Sequence, residues 1–150
     1  MLELPRVKRG PDFSCMEQVL RLESPPRNVL FELFMNEDLY DLAVEGISLP
    51  DDERLRPFVK MINAFQRLGY DYTTLMRIPG SLFKVIKQDK KTISLNEDPD
   101  ITDWKSFEAF CWPKLETTDL GIIEDLWPYI PEGMKLIAAG PGGVEENVIS

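Results

Sequence analysis

The chain has 150 residues with 17 Lys+Arg, 26 Asp+Glu and no histidine, giving a formal net charge of -9 and a pI near 4.6. That balance excludes the basic footprint that nucleic acids and anionic membranes require. The missing histidine removes the commonest general base, histidine-dependent triads and most zinc sites. A hydrophobic share of 43% supplies a globular core. No run approaches the roughly 20 apolar residues of a membrane span, and Met1 to Arg9 is not followed by a signal-peptide core, so the cytoplasm is the expected compartment. Cys15 and Cys111 are far apart and fit reduced thiols better than a disulfide scaffold.

Phe13 to Glu23 carries Val19, Leu20 and Leu22 among polar residues and reads as a lead-in helix stopped by Ser24-Pro25-Pro26. Asn28 to Phe34 is rich in strand formers and reads as a first core strand. Glu32 interrupts it as a residue aimed at a site would. Asn36 is placed to cap a short helix bearing Leu39, Tyr40, Ala43 and Val44, with Gly46 ending it. The clearest amphipathic helix runs from near Leu55 to Gly69. Leu55, Phe58, Val59, Ile62, Phe65 and Leu68 keep the helical repeat, and Pro57 is tolerated in the first turn. Tyr70 to Leu75 follows as a second strand, completing a strand, helix, strand unit of the right-handed crossover type.

Beyond it, Leu82 to Lys87 and Lys91 to Leu95 read as a small hairpin around a charged turn. Another helix starts at Ile101, with Thr102 or Asp103 as its cap and Pro113 as its stop. A further helix spans Thr118 to Tyr129, and Pro131-Glu132-Gly133 turns the chain into a final strand. Leu136 to Ala139 has the apolar character of a parallel strand covered on both faces. Gly140, Gly142 and Gly143 then form a tight turn opening a helix, with Glu145 in its first turn. A parallel strand followed by the bare start of a helix predicts the front part of a larger α/β enzyme.

Several local words carry a family resemblance. They are Pro26-Arg27-Asn28 before a strand, the Leu68-Gly69-Tyr70-Asp71 junction, Asp100 to Phe107 with Trp112-Pro113, and Pro131 to Ile137 with Gly140-Pro-Gly-Gly-Val-Glu145. Together they resemble the N-terminal part of the uroporphyrinogen decarboxylase superfamily. The resemblance implies an α/β fold over residues 1–150: the N-terminal segment of a (β/α)8 TIM barrel, with a lead-in helix and an inserted β-hairpin. The haem-pathway decarboxylases carry an arginine-rich signature after the first strand, where this chain has Glu32-Leu-Phe-Met-Asn36; they also carry a tyrosine beyond the glycine turn, where it has Asn147 or Val148. A polycarboxylate substrate needs fixed guanidinium partners, so the departure favours the corrinoid-linked, methyltransferase-like branch.

On this reading Glu32 and Asp71 are candidate catalytic carboxylates, Glu32 protonating a leaving group or orienting substrate if burial raises its pKa. Asp71 begins its strand, where a structural cap or turn is the competing role. Gly140, Gly142, Gly143 and Glu145 are candidate substrate-binding residues at the carboxyl end of a strand, where barrels build their sites. The partner expected is a small-molecule substrate, with a corrinoid protein and zinc implied by the resemblance for the full-length protein and no metal ligands in this segment. Uroporphyrinogen decarboxylation and an inert binding or assembly subunit are the alternatives. The apolar edge of Leu136 to Ala139 is expected to promote aggregation or homodimerisation of the isolated chain.

Overall fold

The computed structural model describes residues 9–75, 102–110 and 120–138, in two compact units. The larger holds 9–75 and 120–138, the smaller 102–110. The expected hairpin of Leu82 to Leu95 and the glycine turn from Gly140 lie outside the described residues.

The larger unit opens with α1 (Ser14–Leu20), the core of the expected lead-in helix, burying Cys15 and Met16. Next comes α2 (Glu37–Ala43), where the Asn36 side chain accepts the Leu39 N–H at 2.8 Å and so satisfies one of the first-turn donors. Its last turn is closed by Arg67, which donates to the carbonyls of Ala43 and Glu45, both at 2.9 Å. The amphipathic repeat becomes α3 (Arg56–Leu68), with Val59, Ile62, Ala64 and Phe65 buried and Pro57 in the first turn. Gly69 at φ 92 ends it in the left-handed conformation, and the Tyr70 N–H returns to the Phe65 carbonyl at 3.0 Å. That closure turns the chain straight into β1 (Tyr72–Leu75), all of whose residues are buried.

Phe65 sits at the hub of this packing. Its ring lies 4.9 Å from Tyr70, 5.9 Å from Tyr72 and 6.4 Å from Tyr40 between centroids. Burying a ring of this size is worth on the order of 2–3 kcal/mol before packing is counted. Lys60 adds ion pairs from α3 to Glu37 at 2.9 Å and Asp41 at 2.5 Å on α2.

The smaller unit's described residues hold α4 (Trp104–Ala109). Asp103 and Ser106 form a capping box, with the Ser106 N–H donating to Asp103 at 2.7 Å. The helix ends at Ala109 and not at Pro113, because Phe110 already has extended backbone. In the larger unit, α5 (Gly121–Leu126) buries Ile122 and Leu126 and runs into a 3-10 turn at Trp127–Tyr129. Arg54 pairs with Asp125, joining the approach to α3 to this helix. Then β2 (Lys135–Ala138) lies parallel to β1, with Tyr72 opposite Lys135 and Leu75 opposite Ala138.

Two expectations need correction. The segment from Asn28 to Phe34 joins no ladder among the described residues; the Tyr72 and Thr74 hydroxyls of β1 take backbone groups of Glu32 and Leu33 instead. The final strand is not covered on both faces: Lys135 and Ala138 are exposed, and Leu136 and Ile137 are half-buried. The fully buried strand is β1, which lies against α3 on one face and beside β2 at its edge. Among the described residues, β2 has β1 as its single strand neighbour.

Candidate functional site

Asp71 stands where α3's closing turn meets β1, and it is 1% exposed. A carboxylate this deep must be fully paired, because an uncompensated buried charge is costly. Arg27 supplies the fork: Nη1 donates to Oδ2 at 2.8 Å and Nη2 to Oδ1 at 2.5 Å. The Asp12 N–H donates a third bond to Oδ1 at 2.8 Å. Arg27 also reaches the Asp12 carbonyl at 3.4 Å, and Arg9 donates to the Gly69 carbonyl at 3.2 Å. Asp71 thereby clamps the start of the chain and the loop after Pro26 to the amino end of β1. Beside it, the Asp12 carboxyl is held below the ordinary carboxylate range by the Ser14 hydroxyl and backbone N–H. What this contributes to stability is present at neutral pH and is lost as pH falls through the lowered value.

Glu32 lies elsewhere, on an exposed stretch of extended chain. The Tyr72 hydroxyl holds its backbone from both sides, accepting from the Glu32 N–H at 2.5 Å and donating to the Glu32 carbonyl at 2.6 Å. Thr74 Oγ1 donates to the Leu33 carbonyl at 2.6 Å, and the Met35 N–H donates to the Tyr40 hydroxyl at 2.8 Å. The Glu32 carboxylate itself folds back to accept the Leu33 N–H at 3.0 Å. Glu32 and Asp71 therefore occupy separate surroundings, one solvated and one closed. Gly140, Gly142, Gly143 and Glu145 lie outside the described residues.

Burial pushes the phenols of Tyr40, Tyr70 and Tyr72 above the ordinary tyrosine value of 10.0, with the Glu32 charge adding to each shift. A raised phenol stabilises the fold fully below pH 10 and loses that contribution as pH rises through the folded-state value. Tyr72→Phe is expected to cost about 1 kcal/mol, because it strips partners from two backbone groups that water can partly replace. It should also blunt the alkaline end of the pH–stability curve. Urea unfolding at pH 7 and above pH 10 checks both; equal loss at the two pH values would refute the titration argument.

On the opposite face of β1, Thr73 Oγ1 is the one buried side-chain oxygen without a hydrogen-bond partner among the described residues. Thr73→Val trades that hydroxyl for a methyl group. It should stabilise the protein by about 1 kcal/mol, since no bond is lost and a desolvation cost is removed. A lower melting temperature would show that the hydroxyl is bonded in solution.

Sequence reasoning singled out Asp71 but not its partners. The readable signal was Arg27, the last cation before 26 residues with none. Among the described residues no group of three His, Cys, Asp or Glu could hold a metal ion. No helix among them is long and apolar enough to cross a membrane. Comparison with protein-family models, curated proteins and solved structures finds no match to this chain.

Proposed function

We propose that the chain is the N-terminal segment of a uroporphyrinogen decarboxylase superfamily barrel, of the corrinoid-linked methyltransferase-like kind. The observation that supports it is the parallel pairing of β1 with β2, in which α3 covers the β1 face bearing Tyr72 and Thr74. Two parallel strands do not make a stable sheet alone, and a (β/α) barrel puts helices outside and the opposite strand face, here Thr73 and Leu75, inside. On this reading Glu32 orients substrate as an exposed carboxylate whose backbone is held by the Tyr72 hydroxyl. Zinc chemistry would draw its ligands from other parts of the protein.

The test is to express the open reading frame that carries this segment and assay two reactions. Methyl transfer from methylcobalamin to a thiol is followed by the visible spectrum, and uroporphyrinogen decarboxylation by porphyrin chromatography. Methyl transfer that falls in Glu32→Gln supports the proposal; decarboxylation in its place selects that alternative. A second reading, a binding or assembly subunit, is favoured by one observation. Both Asp71 oxygens are consumed by structural bonds, while Glu32 is solvated. Absence of both reactions in the folded product would select it.

A further inference from the structure

Between Arg27 and Arg54 the chain carries eight carboxylates, from Glu32 to Glu53, and no lysine or arginine. The stretch thus holds a formal charge of -8 against -9 for the whole chain. At its start lies the most apolar exposed run of the described residues: Leu30 is 41%, Phe31 65%, Leu33 42% and Phe34 64% exposed. Single exposed apolar side chains are ordinary, but four within five positions, two of them aromatic, form a patch of the kind that marks an interaction surface.

The backbone beneath the patch is already fixed. Tyr72, Thr74 and Tyr40 bind the main chain of Glu32, Leu33 and Met35, and the Phe31 ring lies 5.8 Å from that of Tyr72. Aromatic anchors held in place before binding lose little entropy when a partner arrives.

We propose that residues 30–34 form a docking surface for a cationic amphipathic segment of a partner protein, with its apolar face on Phe31 and Phe34 and its lysines or arginines toward Glu32 and Asp38, Glu37 already holding Lys60. Charge selects this occupant. A second copy would set one acidic stretch against another, and an anionic membrane or nucleic acid would be repelled likewise. A basic helix with one apolar face satisfies both halves of the surface. The inference does not rest on the proposed methyl transfer, but the two readings share Glu32, which a partner seated here would cover.

The probe is a short helical peptide of leucine and lysine, patterned with its leucines on one face, titrated into the full chain and read by fluorescence anisotropy. Saturable one-to-one binding is expected, weakened about tenfold or more when Phe31→Ser is combined with Phe34→Ser. Phe34→Ser alone should give a smaller loss and guards against misfolding, because Phe31 touches the core and Phe34 is the more independent of the two. A counterpart peptide with glutamate for lysine should not bind. Binding undiminished in the serine variants would reduce the effect to bulk charge and overturn the proposal. Equal binding of the glutamate peptide would overturn it too, as would a dimer by analytical ultracentrifugation that Phe34→Ser dissociates.

Discussion

Replacing Arg27 by methionine is expected to lower stability by about 3 kcal/mol, and the melting temperature by roughly 6–12 °C for a chain of this size. The size follows from what is left behind. Asp71 would keep its burial and the Asp12 N–H but lose both guanidinium bonds, so a carboxylate would sit uncompensated beneath the lead-in segment. The Arg27 side chain is itself partly solvated, which keeps the effect at the lower end of the range for broken buried pairs. Arg27→Lys retains charge but cannot supply the fork, and should recover only part of the loss. Adding Asp71→Asn to the methionine variant should restore stability toward the wild type, because the stranded charge goes with it. Urea unfolding of the wild type, Arg27→Met, Asp71→Asn and the double variant closes the cycle. A methionine variant within 0.5 kcal/mol of wild type would mean that water reaches Asp71 and the clamp is weak.

Gly133→Ala is expected to cost a similar amount, about 3 kcal/mol, by a different route. Gly133 has φ 81, and a Cβ there would stand 2.3 Å from the Pro11 carbonyl oxygen. Backbone atoms cannot swing aside as a side chain can, so the lead-in segment would have to shift, and with it the 2.9 Å bond from the Phe13 N–H to the Gly133 carbonyl. Gly46 separates the two contributions. Its φ is 77, yet nothing lies within 4 Å of its missing Cβ. Gly46→Ala therefore reports the left-handed backbone cost alone, about 1 kcal/mol, and the remainder at Gly133 belongs to the clash. Equal losses at both glycines by chemical denaturation would rule out close docking of Pro11.

These two seats show what a sequence can and cannot disclose. Elements set by local rules were legible: the α3 repeat with its Gly69 terminus, the Asn36 cap of α2 and the Asp103 cap of α4 each need only neighbours a few residues away. Asn28 to Phe34 was misread because strand propensity reports fit to a sheet surface and not a ladder. Whether its backbone would meet another strand or the hydroxyls of Tyr72 and Thr74 depends on residues up to 41 positions away. The covering of the final strand was overread, over its described residues Leu136 to Ala138, for a related reason. An apolar run announces a parallel strand, but which strand is central follows from packing, and α3 covers β1. The Arg27–Asp71 fork spans 44 positions, so composition gave its ingredients and only the fold gave its pairing.

The parallel register of β1 with β2 also constrains how the molecule comes into being. Tyr72 and its partner Lys135 lie at positions 72 and 135, so the ladder cannot close until 63 further residues have been made. At the usual pace of synthesis that is a wait of roughly 3–13 s. During this interval the nascent α2, α3 and β1 can assemble around Phe65, since their contacts are local. The flank of β1 that will receive β2 has no partner yet, leaving a hydrogen-bonding edge open beside the ribosome. The vulnerable species for this protein is thus a half-made one, and chaperone demand should track the delay between Leu75 and Ala138 more closely than the stability of the finished fold.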